Sequence, residues 1–342
     1  MKKLLILLIL SFLTGCSKED EQNKLISLSG RTMGTTYSVK FIADKNIYKN
    51  NSDFVQPKID SVLQDVNNKM STYIPSSEIS KFNSSASLDW LKVSRDFVYV
   101  ISVTRLLGFE TNGALDLTIG PLVNLWGFGP SFRPNIIPTE NEINSARRNI
   151  GLEKIEVDEN NSQIRKTIPS LYCDLSSTAK GFGVDKVAEL LDKLKIPNYL
   201  VEIGGEVKVK GKNHYNKLWQ VGISEPDISG KIQKVLPLNN LAMATSGDYW
   251  NYFEENGVRY SHLIDPRTGK PIDHKLASVT VIHKECIIAD GYATAISIMG
   301  HEEGYKFAVK KELPVFMIVR ENNTFVVKQT PAFEKMFESK EG

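Results

Sequence analysis

Leu171-Tyr172-Cys173-Asp174-Leu175-Ser176-Ser177-Thr178-Ala179-Lys180-Gly181-Phe182-Gly183-Val184-Asp185 joins an apolar run to a helical one. After Pro169, residues Leu171, Tyr172 and Cys173 read as a short strand that ends at Asp174. Val184, Val187, Ala188, Leu190 and Leu191 then recur at helical spacing. Ser176, Ser177 and Thr178 favour the N-cap, so the pattern predicts a helix starting here. A helix start presents unpaired N–H groups and a partial positive charge, which suits a phosphate or pyrophosphate. Lys180 adds a full charge, and Gly181 and Gly183 let the backbone approach a ligand. Asp174 is placed to hold a ring N–H, a ribose hydroxyl or a cation. Alone, the stretch reads equally as an ordinary strand–turn–helix joint with a surface lysine.

The 342 residues are 41% hydrophobic and 24% charged, the composition of a soluble globular protein. A net charge of +2, with no basic run or stacking platform, sets nucleic acid aside as a partner. The amino terminus differs. Lys2 and Lys3 precede an apolar run from Leu4 to Leu10, laid out as a secretory signal and too short for a comfortable membrane span. Leu13-Thr14-Gly15-Cys16 matches the bacterial lipobox, so Cys16 is read as the lipidated first residue of the mature protein. The acyl chains would anchor the protein to a bacterial membrane, facing the periplasm or the cell exterior. Residues 1–15 are then the signal peptide, 16–24 a solvated tether and 25–340 one domain. Cys173 and Cys286 lie in apolar, strand-like runs, which favours buried free thiols over a disulfide.

From the amino end, Leu25 to Ile42 reads as a hairpin with a bend at Gly34, and Lys58 to Met70 as a helix. Tyr73 falls on the loop that Pro75 opens, and a second helix runs from about Arg95 to Glu110 with Gly113 just past its end. The Gly113–Gly129 segment is apolar and punctuated by glycine. It suits either core and turns or a wall for a flat aromatic ligand. Ser131 to Pro138 is a loop, and Thr139-Glu140-Asn141-Glu142 is a helix start. Tyr199–Val209 is a hairpin bent at Gly204-Gly205, Trp219–Ile223 and Leu241–Thr245 are strands, and Ser246–Trp250 is a turn with exposed polar groups. Ser261–Gly269 makes a tight turn, Val279–Ile282 a strand, and Ile288–Ile296 opens a helix.

On that last helix Asp290 and Thr294 stand four apart, hence on one face. A carboxylate and a hydroxyl are hard oxygen ligands suited to Mg²⁺, which keeps waters and substrate phosphates as its other partners. They also suit an acidic first turn and a threonine bonding back to its own helix. His262, beside Asp265, is one of five histidines and an acid–base candidate. No zinc spacing, dinucleotide fingerprint, Ser-His-Asp or Cys-His constellation is present in the sequence.

Seven segments in order resemble the ApbE family of bacterial FAD:protein FMN transferases. They are Met33–Tyr37, Met70–Ser80, Gly113–Gly129, Asp174–Asp185, Ala244–Tyr249, Ser261–Gly269 and Ala289–Ala295. The resemblance covers Gly30 to about Phe333. It implies an α+β fold, a single compact unit related to the T-fold, with mixed or antiparallel sheets flanked by helices. It also implies Mg²⁺-dependent transfer of FMN from FAD to a threonine hydroxyl of an acceptor flavoprotein of the redox-pump subunit type, with release of AMP. Met33, Tyr73, Ala114, Leu115, Asp116, Asp174, Lys180 and Ile264 would contact FAD. Ser177, through its carbonyl, would hold Mg²⁺ with Asp290 and Thr294. His262 and Asp290 would be catalytic, with His262 or an aspartate as the base. Two other readings remain open on the residues alone: an FAD pyrophosphatase that passes FMN to water, and a lipoprotein that binds FAD without chemistry.

Overall fold

Tyr37, Val39 and Phe41 alternate with Ser38 and Lys40, and the buried members of this period-2 row fix which face of the first hairpin meets the core. The structure, a computed structural model, describes residues 24–43, 45–130, 137–227, 231–247, 252–255, 257–322 and 324–337. The expected signal peptide, Cys16 and most of the tether lie outside these residues, as do most of the Ser131–Pro138 loop and Asp248, Tyr249 and Trp250.

In chain order the elements are β1 (Lys24–Thr32), β2 (Thr35–Ala43), α1 (Lys45–Met70), α2 (Glu78–Ser84), β3 (Leu91–Lys92), α3 (Arg95–Glu110), α4 (Gly120–Leu125) and α5 (Glu140–Arg147). There follow β4 (Ile155–Asp158), β5 (Gln163–Lys166), α6 (Ala179–Lys193), β6 (Tyr199–Ile203), β7 (Glu206–Lys210), β8 (Trp219–Ser224), β9 (Ile232–Leu238) and β10 (Leu241–Gly247). The carboxyl third holds β11 (Tyr252–Glu255), β12 (Val258–Ser261), β13 (Ile264–Asp265), β14 (Lys270–Pro271), β15 (Leu276–His283), α7 (Cys286–Lys310), β16 (Val315–Glu321), β17 (Thr324–Gln329) and α8 (Pro331–Phe337).

An eight-stranded sheet in the order β1-β2-β6-β7-β10-β15-β16-β17 is the frame. Its pairings are antiparallel, from Tyr37 opposite Ile203 to Thr245 opposite Thr280, so the expected α+β class holds and the expected mixed pairing narrows to antiparallel. Alternate side chains serve two cores. Ala242, Ala244, Val315, Met317 and Val319 pack among the buried apolar residues of the helices, whereas Met243, Phe316 and Ile318 meet the β8–β9 ribbon and Phe333 of α8. On the helical face, Val55, Ile59 and Leu63 of α1 and Val184, Val187 and Leu191 of α6 cover β2 and β6. Ala289, Ala293 and Ile296 of α7 cover β10, β15 and β16. Both sheet faces are thus buried, with α6 and α7 side by side on one of them.

Several boundaries differ from expectation. Helix α1 begins at Lys45 and carries Pro57 inside it, where the apolar spacing gave a helix only from Lys58. Helix α2, capped by Ser77 Oγ on the Ser80 N–H at 3.1 Å, falls in a segment read as loop. Cys173 and Cys286 are free and buried as expected, but Cys286 opens α7 rather than lying in a strand.

Leu171 and Cys173 are buried and Tyr172 half-buried, but the segment joins no sheet. One side chain takes the place of a neighbouring strand. Asn83 Oδ1 accepts the Cys173 N–H at 2.7 Å while Asn83 Nδ2 donates to the Cys173 carbonyl at 2.8 Å. The Asp174 N–H donates to the Leu117 carbonyl at 2.7 Å. Lys166, 1% exposed, fastens the same corner by donating to the carbonyls of Ser85 (2.8 Å) and Leu171 (3.1 Å). Burial pushes its ammonium below the usual lysine range. Asn83→Leu removes the amide and strands a buried N–H and C=O. It is expected to lower stability by about 2–4 kcal/mol, read as a shifted urea midpoint at constant slope. A loss within about 0.5 kcal/mol would mean the segment is held by other contacts.

Candidate active site

The site begins where α6 meets α7. Thr178 precedes α6 in the N-cap position, but its hydroxyl lies 2.9 Å from Thr104 Oγ1 and makes no cap bond. The cap comes from another helix: Asp290 Oδ2 accepts the Gly181 N–H at 2.9 Å. Gly181 permits this approach. A Cβ there would stand 2.5 Å from the Cys286 carbonyl oxygen and 2.8 Å from Asp290 Cβ. The glycine read as making room for a ligand instead makes room for α7. Gly183 likewise receives Met33, whose Cε would meet a Cβ at 2.8 Å.

Lys180 is not a surface lysine. Its Nζ lies 3.1 Å from Glu206 Oε1 and 3.8 Å from Asp290 Oδ1. Glu206 and Asp290 are 2% and 4% exposed. Burial raises both carboxyl groups above their ordinary range, helped by the charge of Asp290 at Glu206 and of Asp185 at Asp290, against the lowering effect of Lys180. Burial alone would lower Lys180, but Asp290 and Glu206 hold its ammonium above the usual lysine value. With all three ionised, two carboxylates face one ammonium and leave an excess negative charge. Glu206 was not singled out in the sequence. The signal that could have found it is a complementary row: Glu206, Lys208 and Lys210 of β7 pair with Lys180, Asp185 and Asp192 of α6.

A two-lobed cleft opens beside this cluster. One lobe, of about 560 Å³, is lined by Met33, Met70, Tyr73, Asp174, Ala179 and Lys180. The other, about 250 Å³, is lined by Ala114, Leu115, Asp116, Ser177, Ser246, His262, Ile264, Asp290 and Thr294. Asp174, Ser176 and Lys180 belong to both lobes and make them one cleft. Each expected site residue within the described chain lies on this cleft. A hollow of about 670 Å³ against Arg147, Arg148 and Arg267 shares Asp116 with it.

Local chemistry sets the side chains. Asp174 Oδ1 accepts the Ser176 N–H at 2.8 Å, which fixes the carboxylate ahead of α6. Asp116 Oδ1 accepts from Thr118 N at 2.7 Å and Thr118 Oγ1 at 2.6 Å. Burial nonetheless raises its carboxyl. Tyr73, 67% exposed, donates to the Phe128 carbonyl at 3.4 Å and lines the larger lobe. His262 packs edge-on to Phe128, ring centres 6.4 Å apart. Asp290 and Thr294 share a face of α7, and Thr294 Oγ1 lies 3.4 Å from Ser246 Oγ of β10. Ser246 thus stands on a strand at the cleft, where a turn was expected.

The donor set fits a hard divalent cation. Asp290 and Thr294 offer oxygen, the two carboxylates when ionised exceed the one ammonium and invite a cation, and Glu206 Oε2 is buried with no hydrogen-bond partner. Among the described residues no cluster of three or more His, Cys, Asp or Glu forms a self-sufficient metal cage. Mg²⁺, which takes most of its ligands from water and phosphate, is the cation such a sparse site suits.

Known proteins share this sequence and fold. The model of the ApbE family matches residues 33–317. A protein of Haemophilus influenzae named FAD:protein FMN transferase is 46% identical over 334 residues, 96% of this chain and 95% of that relative. A Vibrio cholerae protein of the same name is 46% identical over 323 residues, 94% of this chain and 95% of its own length. The solved structure of the flavin transferase ApbE from Vibrio cholerae superposes with a TM-score of 0.85 at 43% identity, covering 92% of this chain and 99% of that one. With the matched segment spanning both lobes of the cleft and the helix junction between them, the chain belongs to the ApbE family.

Proposed function

We propose that this chain is a flavin transferase that moves the FMN moiety of FAD onto a threonine hydroxyl of an acceptor flavoprotein, with Mg²⁺ bound and AMP released. The observation that carries this reading is the convergence on one cleft of a charged helix start, the Asp290 and Thr294 oxygens and a histidine. The names of the relatives support the flavin substrate and the protein acceptor.

FAD would lie across both lobes with its pyrophosphate near Lys180 and the start of α6. The helix N-terminus and the Lys180 ammonium stabilise charge on the phosphate oxygens. Asp290, Thr294 and the Ser177 carbonyl would hold Mg²⁺, which when bound neutralises pyrophosphate charge. Met33, Tyr73, Ala114, Leu115 and Ile264 give apolar and aromatic surface for the flat rings, while Asp174 and Asp116 offer acceptors. The acceptor threonine oxygen forms a bond to the FMN-side phosphorus as the bond to the AMP oxygen breaks. His262 takes the hydroxyl proton and AMP leaves with the electron pair.

We also propose that the protein is exported and anchored through a lipidated Cys16, on the strength of Leu13-Thr14-Gly15-Cys16 after a short apolar run. No helix among the described residues is long and apolar enough to cross a membrane.

The transfer is tested by incubating the protein with FAD, Mg²⁺ and a candidate acceptor, then weighing the acceptor and measuring AMP. Flavin on the acceptor, with AMP release dependent on it, is the expected result; AMP released equally without acceptor would make the chain a pyrophosphatase. Asp290→Asn keeps an oxygen for the Gly181 N–H but loses the charge. It is expected to cut turnover on the order of 10²–10³-fold while FAD affinity, set by ring and ribose contacts, changes little. Wild-type activity of this variant across a Mg²⁺ titration would remove Asp290 from the metal site.

Lys180→Met has two expected effects. Loss of a charge-assisted phosphate contact costs about 1.5–3 kcal/mol in FAD affinity or turnover. It also leaves Asp290 and Glu206 without their counter-charge, raising both carboxyls further. A carboxyl whose pKa is higher folded than unfolded keeps its proton in the fold and loses it on unfolding. Stability therefore falls as pH rises from the ordinary carboxylate values, 4.5 for Glu and 3.8 for Asp, through the folded values, to about 8 for Glu206. Wild type shares this fall up to its own folded values, so the melting-temperature deficit of Lys180→Met should widen once pH passes them, about 8 for Glu206. A gap independent of pH would mean that Lys180 does not hold these two carboxylates.

A further inference from the structure

Glu206 has no part in the chemistry above, yet it is the buried charge that Lys180 approaches most closely. It sets Oε1 3.1 Å from the ammonium, and Oε2 meets no hydrogen-bond donor. Lys180 reaches it by lying along the turn between β6 and β7. Gly204 has φ +58°, and a Cβ there would stand 3.2 Å from Lys180 Cδ. The ammonium is therefore drawn toward β7. Its distance of 3.8 Å from Asp290 Oδ1 is beyond hydrogen-bond reach. Asp290 Oδ2 is committed to the Gly181 N–H, so Oδ1 is the oxygen left for a cation.

We propose that Glu206 is a positioning residue that holds the Lys180 ammonium off Asp290 Oδ1 and so leaves that oxygen to a divalent cation. This rests on the assignment of Asp290 as a metal ligand. Without Glu206, the ammonium has a single buried carboxylate within reach and closes onto it as a direct, charge-assisted pair. A cation must then displace that pair before it binds. The chemistry of the transfer is unaltered; what changes is the cation concentration the site requires.

The test is Mn²⁺ binding to the purified protein without FAD, followed by the electron paramagnetic resonance of unbound Mn²⁺ at pH 8.5, above the value of about 8 to which burial lifts Glu206. Wild type should bind and Asp290→Asn should not. Equal binding by those two, or none by wild type, defeats the metal assignment itself and is distinct from any result at Glu206. Given that site, Glu206→Gln, close in shape, should weaken Mn²⁺ about tenfold or more. The double variant Lys180→Met/Glu206→Gln, which removes the competitor as well, should return to wild-type affinity or better. Unchanged binding in Glu206→Gln overturns the proposal. So does a double variant that binds as weakly as the single, because Glu206 would then act on the cation directly. Should Glu206→Gln fail to fold, Glu206→Ala takes its place: weaker Mn²⁺ binding than wild type supports the proposal and unchanged binding overturns it.

Discussion

The Asp290 carboxylate set against the first N–H groups of α6 is the contact on which the site depends. It is local chemistry with a long reach, because Gly181 and Asp290 are 109 residues apart. Capping an N–H group from another helix is worth about 1 kcal/mol in stability, little beside the burial of the apolar faces of α6 and α7. Its consequence is geometric. It brings a helix start, an ammonium and a hard oxygen ligand to one place, and each is fixed by a different element of the fold. The sheet supplies the rest: β7 carries Glu206 beneath α6, and β10 brings Ser246 to Thr294 of α7.

Electrostatics at this junction runs against stability. Two buried carboxylates beside one ammonium are an arrangement that folding by itself would avoid, since desolvation opposes every charge placed there. Neighbouring pairs between α6 and β7 are balanced, Asp185 with Lys208 and Asp192 with Lys210. Imbalance arises at the cleft and not along the rest of the helix. Sites that bind cations and polyphosphates commonly carry such cost, with stability supplied by the surrounding core. Here that core is the pair of apolar layers on the two faces of the eight-stranded sheet.

Much of this was readable in the residues. Strong periodicity gave α3 within a residue or two and the start of α6, and the Thr139–Glu142 capping box gave the start of α5. The glycine pair at 204 and 205 gave the β6–β7 hairpin, because positive φ at both positions suits a tight reversal. The site residues named from motifs came together on one cleft. What stayed hidden was whatever depended on partners remote in sequence. Leu171–Cys173 has the apolar content of a strand, but a side chain, Asn83, closes its backbone bonds. Thr178 has the chemistry of a cap, but Asp290 performs it. Glu206 passed unremarked within the Tyr199–Val209 hairpin until α6 was laid over it. Lys180 was legible as a charge near phosphate and illegible as one member of a buried cluster. Local pattern reports which face a residue takes; it does not report what will cover that face.

The central claim is that the α6–α7 junction holds a divalent cation against the pyrophosphate of FAD. Anomalous diffraction from crystals of the protein grown with Mn²⁺ and FAD addresses it most directly. The account places the Mn²⁺ peak about 2 Å from Asp290 Oδ1 and Thr294 Oγ1, with the pyrophosphate on its far side and Lys180 still paired to Glu206. A peak elsewhere, with Asp290 making no bond to metal and the pyrophosphate away from the start of α6, would contradict it.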